Sequence, residues 1–337
     1  MNKFISGLSL FILIVLCAAC GNTKKTDDQT SVQPVNTPKE LQELNEKIKT
    51  DSTNAALYYA RAKYKINIRE FNDALVDMSY VMKYDSVRPE YYLTISDLYL
   101  SGNNTRRSKE ALEKCLVIDP KNTEAMLKLA ELYFYVKKYQ ESIDNINNAL
   151  KINEHIAKAY FLKGMNYKEI GDTTKAISSM NTATEQDPEY YAAYMELGAL
   201  HAAKKNALAL SYYDNAIRID PKSVEAVYGK GKFYQDIKDW NNAIKMYGEL
   251  LKMKPDYKYA HYNLGAIALV NKRVDDAITY FTKAIADDAK YPEAYFARGT
   301  SYVQKGDKAK AREDYKMAVE LNPNYEAAQD ALAEIGK

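Results

Sequence analysis

Three textures follow one another along the chain. Phe4 to Ala19 is a 16-residue stretch without a charge (FISGLSLFILIVLCAA), preceded by the short basic start Met1-Asn2-Lys3. Residues 21–38 (GNTKKTDDQTSVQPVNTP) are polar and nearly free of apolar side chains. From residue 55 onward the pattern becomes periodic. Gly164, Gly198, Gly231, Gly265 and Gly299 are spaced 34, 33, 34 and 34 residues apart, and Pro120, Pro188, Pro221, Pro255 and Pro323 keep the same beat at 68, 33, 34 and 68. A fixed period of this size is the mark of a repeat architecture. The glycines set unit starts at 55, 89, 123, 157, 191, 224, 258 and 292.

Within each unit two rows of small residues recur. The eighth position reads Ala62, Ser96, Ala130, Gly164, Gly198, Gly231, Gly265 and Gly299. A second row reads Ala74, Ser108, Ser142, Ala176, Ala209, Ala243, Ala277 and Ala311. Two helices approach closely only where neither presents a bulky side chain, so these rows predict the contact line of a helical hairpin. Tyr58, Tyr92, Tyr160, Tyr194 and Tyr295 in the first helix and Tyr213, Tyr247, Phe281 and Tyr315 in the second fill the space beside it. Ile-Asp-Pro at 118–120 and 219–221 and Leu-Asn-Pro at 321–323 stop the second helix before the next unit. The fifth unit is one residue short, which the Lys204-Lys205-Asn206 turn absorbs. The fold class is all-α, and 13 glycines and 9 prolines in 337 residues agree with it. Terminal hairpins need covers. Thr37-Pro38-Lys39-Glu40 opens a capping helix over 38–54, and residues 326–337 supply an Ala-rich one at the other end.

The unit resembles the tetratricopeptide repeat, whose period is 34 residues, over residues 55–325. That resemblance implies a right-handed superhelical solenoid of eight helix-turn-helix hairpins with a concave inner face. It also implies that the fifth residue of each unit points into the groove: Tyr59, Leu93, Leu127, Phe161, Met195, Tyr228, Tyr262 and Phe296. All eight are apolar or aromatic, and they lie off the small-residue contact line, so they are expected to be available to a partner, with packing on neighbouring helices as the alternative. Glu90, Asp97, Glu124 and Glu131 are expected to make units two and three acidic. A partner basic at one end and apolar toward the other would match. Some members hold a partner's terminal carboxylate between Lys and Asn on the first helices. The matching pairs here, Tyr59/Lys63, Leu93/Asp97 and Leu127/Glu131, carry the wrong charge for that clamp.

A hydrocarbon core about 30 Å thick needs roughly 20 apolar residues as a helix, so the apolar run at the start is short for a permanent span. It has the length of a signal-peptide core (residues 1–19) and ends in small residues. Ala18-Ala19-Cys20-Gly21 resembles the lipobox of bacterial lipoproteins, with Cys17 standing where Leu is usual and Leu16 one place further back. The resemblance implies that Cys20 is lipidated and becomes the new N-terminus, with residues 20–37 a flexible polar tether. An ordinary cleaved signal and an uncleaved anchor are the alternatives, and each takes the array out of the cytoplasm. Gly21 rather than Asp after the cysteine leans toward the outer membrane. The charged run at 24–28 reads as solvated linker, with a surface-export signal as the alternative.

Lys plus Arg number 47 against 45 for Asp plus Glu, a net charge of +2, which favours no nucleic acid. No phosphate loop, zinc-ligand spacing or nucleophile elbow appears, so no catalytic residue, metal or cofactor is assigned. His201 and His261 occupy slots where sibling units carry Tyr and read as packing substitutes. His155 lies in an inter-unit turn. Asp275-Asp276 and Asp287-Asp288 read as structural, because neighbouring residues on a helix diverge by about 100°. Cys115 reads as a buried free thiol. The expectation is a non-catalytic protein- or peptide-binding scaffold, exported and lipid-anchored in the cell envelope. The alternative is a ligand-binding or regulatory lipoprotein recognising peptide or glycan.

Overall fold

A computed structural model describes residues 39–335; the signal segment, Cys20, the tether and the Thr37-Pro38 start lie outside the described residues. Within them the protein is eighteen α-helices without a strand. A capping helix α1 (Lys39–Thr50) precedes eight hairpins. These are α2 (Ala55–Asn67) with α3 (Phe71–Tyr84), α4 (Pro89–Ser101) with α5 (Thr105–Ile118), α6 (Thr123–Tyr135) with α7 (Tyr139–Ile152), and α8 (Ala157–Ile170) with α9 (Thr173–Gln186). Then follow α10 (Tyr191–Ala203) with α11 (Leu208–Ile219), α12 (Val224–Asp236) with α13 (Trp240–Met253), α14 (Lys258–Val270) with α15 (Val274–Asp287), and α16 (Pro292–Lys305) with α17 (Lys308–Leu321). The last helix, α18 (Glu326–Ile335), lies against α17. Each helix packs on its chain neighbours, and α6/α8, α10/α12 and α14/α16 also touch, so first helices line the inner side of the stack.

Two turns alternate, and each has a chemical cause. In seven of the eight units the inter-unit turn follows an Asp or Asn at the end of the second helix, Lys254 standing there in the sixth. Asp85, Asp119, Asn153, Asp187, Asp220, Asp288 and Asn322 each accept, through the side chain, the N–H two residues on at 2.9–3.2 Å. This local bond competes with helix continuation and fixes the exit. The turn inside each hairpin places one residue in the left-handed region: Arg69, Asn103, Lys137, Gly171, Lys205, Lys238, Lys272 and Gly306. Only two of the eight are glycine. In the fifth unit α11 begins directly after this turn, with the Asn206 side chain accepting from the Leu208 N–H at 3.0 Å.

The eighth-position glycines seat a side chain from the second helix of the same hairpin. A Cβ built on Gly198, Gly265 or Gly299 would lie 2.7–2.8 Å from the rings of Tyr213, Phe281 and Tyr315 respectively, and one on Gly164 would lie 2.6 Å from Met180. At Gly231 the close group is Tyr247 at 3.0 Å, one turn beyond the Ala243 of the small-residue row. Units one to three carry Ala62, Ser96 and Ala130 at this place, and the equivalent positions of their second helices hold Met78, Leu112 and Ile146, all buried and none a ring. Every ring at this place is therefore faced by a glycine.

The first and last hairpins each carry a largely buried arginine–aspartate pair between their two helices. The Arg61 guanidinium donates to both oxygens of the fully buried Asp77 at 2.6–3.2 Å, Lys65 adds a contact at 2.8 Å, and Arg61 also reaches Asn45 of α1 at 2.7 Å. Lys65, which stands where most units have an aromatic, is thus accounted for. Arg298 makes the equivalent two-pronged pair with Asp314 at 2.7 and 2.8 Å, and bonds to Thr282 of the preceding unit. Such fork-to-carboxylate pairs fix orientation as well as adding energy.

Candidate functional site

The fifth-position row lies on the first helices, as one residue per unit. Tyr59, Leu93, Phe161, Met195, Tyr228, Tyr262 and Phe296 are half-buried, whereas Leu127 belongs to the core at 7% exposure. The rings are committed to neighbours. Phe161 meets Tyr190 at 5.2 Å between centroids, Tyr228 meets Tyr257 at 5.6 Å, Tyr262 meets Tyr291 at 5.3 Å, and Phe296 meets Tyr325 at 5.1 Å. Each partner is the residue or near neighbour that leads into the next first helix. On the other side Tyr228, Tyr262 and Phe296 touch Tyr247, Phe281 and Tyr315 at 5.5–6.0 Å, the same rings that cover the glycines. Tyr59 leans on Tyr91 at 4.7 Å and shares a hydrogen bond with Thr94 at 3.1 Å. The row is one layer behind the small-residue contact line rather than free of it, so these side chains brace successive units while showing part of each ring.

Burial accordingly pushes the Tyr228 and Tyr262 phenols up, Tyr257 and Tyr325 up to about 12, and Tyr291 further still. All five remain neutral across the physiological range. Sequence reasoning missed Tyr190, Tyr257, Tyr291 and Tyr325, though they recur at the unit period. It also missed Tyr259, an exposed ring beside them. Tyr259, Tyr262 and Tyr291 line a cleft of about 380 Å³ together with Lys258, Lys290, Pro292 and Glu293.

The acidic positions of units two and three are exposed or half-exposed but paired. Lys128 bonds to Asp97 at 2.7 Å and stands 3.9 Å from Glu124. Lys158 holds Glu131 at 2.6 Å, and Arg88 lies 3.8 Å from Glu90. The lysines come from the following unit in two of these cases, so the surface is a charge ladder rather than a bare acidic patch. Elsewhere, Lys305 holds Asp275, Arg273 faces Asp276, Lys258 holds Asp288 and the His261 ring meets Asp287 at 2.6 Å. His155 meets Gln186 at 2.8 Å. Cys115 is a fully buried free thiol that burial pushes up to about 11. Among the described residues no group of three or more His, Cys, Asp or Glu is placed to hold a metal ion, and no helix is long and apolar enough to cross a membrane.

Sequence models of the tetratricopeptide repeat match residues 89–122, 161–224, 228–292 and 292–325, more than half of the chain. The chain belongs to the tetratricopeptide repeat family. It is 24% identical over 288 residues to tetratricopeptide repeat protein 6 of Homo sapiens, covering 74% of this chain and 55% of that one. It is 23% identical over 203 residues to anaphase-promoting complex subunit 3 of Schizosaccharomyces pombe, covering 60% and 30%. Among solved structures, the C-terminal part of a tetratricopeptide repeat protein from Cytophaga hutchinsonii aligns with a TM-score of 0.61 at 21% identity, over 70% of this chain and 98% of that one. The chain spans little more than half the length of the first curated relatives it matches.

Tetratricopeptide repeat proteins act as protein–protein interaction scaffolds, and one relative is by name a subunit of a multiprotein complex. The three pairs on the first helices of this tetratricopeptide array corresponding to a terminal-carboxylate clamp are occupied otherwise. Lys63 lies over its own Tyr59 ring at 5.5 Å, Asp97 is held by Lys128, and Glu131 by Lys158.

Proposed function

We propose that this protein is a non-catalytic scaffold of the bacterial cell envelope, held to a membrane through lipid on Cys20 and gathering partner segments along its inner face. The supporting observation is the row of partly exposed apolar side chains that recurs on successive first helices, its rings packed against tyrosines that lead into the next unit. Rings with few rotamers left to freeze make good contact surface at low entropic cost. The short apolar run ending in Ala18-Ala19-Cys20 supports the anchor, and the polar residues 21–38 give the array reach from the surface. Assembly or maintenance of an envelope complex is the service that fits a tethered, partner-collecting surface.

The test has two arms on the full chain. Cys20→Ala should move the protein from the membrane pellet to the soluble fraction; persistence in the pellet defeats the lipid anchor. A photo-crosslinking phenylalanine analogue at Phe161 or Phe296 should trap discrete partners in cells, whereas the same probe at Val117, 75% exposed on α5, should not. Equal trapping at all three, or none at the inner positions, defeats the groove.

A further inference from the structure

The second residue of each unit reads Ala56, Glu90, Glu124, Lys158, Ala192, Glu225, Tyr259 and Glu293. Tyr259 is the single aromatic in that row and is 41% exposed. It is not stranded. Its ring lies 5.6 Å from Tyr257, 6.2 Å from Tyr228 and 5.8 Å from Tyr291, linking the Tyr228–Tyr257 contact to the Tyr262–Tyr291 contact of the next unit. The Lys258 ammonium stands 4.9 Å from the Tyr259 centroid and 5.0 Å from that of Tyr291, and donates a hydrogen bond to the Asp288 carboxylate at 2.5 Å. This surface therefore already holds one cation against ring faces with a carboxylate beside it, the geometry of a cation–π site.

On either side of Tyr259, at the same register, stand Glu225 on α12 and Glu293 on α16. Both are exposed, and among the described residues neither takes part in an ion pair or a side-chain hydrogen bond. The contrast with units two and three is direct, because Glu90 and Glu124 occupy the same register there and face Arg88 and Lys128. The lysines near Tyr259 are placed differently. Lys258 is satisfied by Asp288, Lys254 lies against Tyr257 at 5.6 Å in the loop before α14, and Lys290 borders the cleft from the loop before α16.

We propose that the Glu225–Tyr259–Glu293 row receives an extended basic segment of a partner protein, with a guanidinium stacked on Tyr259 and flanking basic side chains on the two carboxylates. This rests on the scaffold reading above and narrows it to one place and one chemistry. Helices in contact lie about 8–10 Å apart, and an extended chain advances about 3.3 Å per residue, so each step along the row spans roughly three residues. The segment that fits carries basic residues at i, i+3 and i+6. Arginine suits the centre because its planar, weakly hydrated head stacks on an aromatic face.

The experiment measures binding of labelled nine-residue Gly/Ser peptides to the full chain by fluorescence anisotropy. One peptide carries Arg at positions 2, 5 and 8, a second carries Glu there, and a third has its three Arg adjacent. The spaced-Arg peptide should bind at least about tenfold more tightly than either, the order of gain that one cation–π contact and two exposed ion pairs supply together. Tyr259→Ala should lose about tenfold with helicity unchanged, which separates a stacking face from a merely structural ring, and Tyr259→Phe should keep the affinity, which separates the ring face from its hydroxyl. Glu225→Gln with Glu293→Gln should lose a similar factor and flatten the salt dependence, with helicity unchanged by circular dichroism. Equal binding of the three peptides, or unaltered binding by the variants, overturns the proposal while the crosslinking arm above still decides the scaffold reading. Loss in Tyr259→Ala without loss in the double glutamine variant, and without salt dependence, overturns it in favour of an uncharged ligand such as a glycan stacked on the ring.

Discussion

His201 occupies a slot on α10 that Tyr99, Tyr133, Tyr167, Tyr234 and Tyr302 occupy in other units. Its ring stacks on Tyr212 at 5.1 Å, is 8% exposed, and neither ring nitrogen has a hydrogen-bond partner among the described residues. Burial, with Lys204 as a lesser cause, holds the imidazole below its ordinary value of 6.5. A buried ring that must stay neutral makes stability depend on pH with a definite sign. Between the lowered folded value and the ordinary unfolded one, the unfolded chain binds more protons, so stability rises with pH across that window. The contribution is whole above about pH 6.5 and is lost as the pH falls below it. His201→Tyr should remove this part of the dependence. Melting temperatures at pH 7 and pH 5 should show a smaller fall in the variant than in the natural protein; falls of equal size would mean that His201 finds a partner or water when charged. Periodicity alone identified the slot and its packing role, but it carried no sign of the unpaired nitrogens, which depend on what the second helix presents.

At the scale of the hairpin, the exchange between glycine and ring is the feature that can be tested most sharply. Gly265 on α14 leaves 2.7 Å between a virtual Cβ and the Phe281 ring on α15. Gly265→Ala should overpack this seat and cost about 1–3 kcal/mol. Phe281→Leu, which copies the Ala130/Ile146 and Ala62/Met78 style of units one to three, should relieve the clash in the double variant. Chemical denaturation of the two singles and the double should then give a favourable coupling of about 0.5 kcal/mol or more. Strict additivity would mean that the ring moves aside without cost. The hairpins, the eight-fold repetition and the all-α class were legible because each reduces to spacing along the chain. The left-handed turn residues were less so. Arg69, Lys137, Lys205, Lys238 and Lys272 adopt a conformation that glycine or asparagine takes more readily, so no residue type announced it.

Across the whole molecule, what the sequence could not show is what couples one unit to the next. The ladder of fifth-position rings on Tyr257, Tyr291 and Tyr325, and the pairing of Asp97 and Glu131 with lysines of the following unit, arise only when hairpins are stacked. Stability in such an array is close to a sum of unit and nearest-neighbour contributions, so damage at one end should stay near that end. The terminal charge pairs and the single described cysteine allow a direct test. Asp77→Ala strands Arg61 and Lys65 in a largely buried site, a loss of about 3–5 kcal/mol for pairs of this kind. Cys115 on α5, in the next unit, is fully enclosed and its thiol is held up to about 11, so alkylation at neutral pH requires the unit to open. Asp77→Ala should therefore speed labelling of Cys115, read by peptide mass, by at least tenfold. Asp314→Ala strands Arg298 at the opposite end in the same way and should leave the Cys115 rate unchanged. If both variants raise it equally, the array opens as one cooperative body and the additive description fails. If only the first does, the N-terminal units, those expected to lie nearest the tether, can loosen while the tyrosine-lined units six to eight keep their shape for a partner.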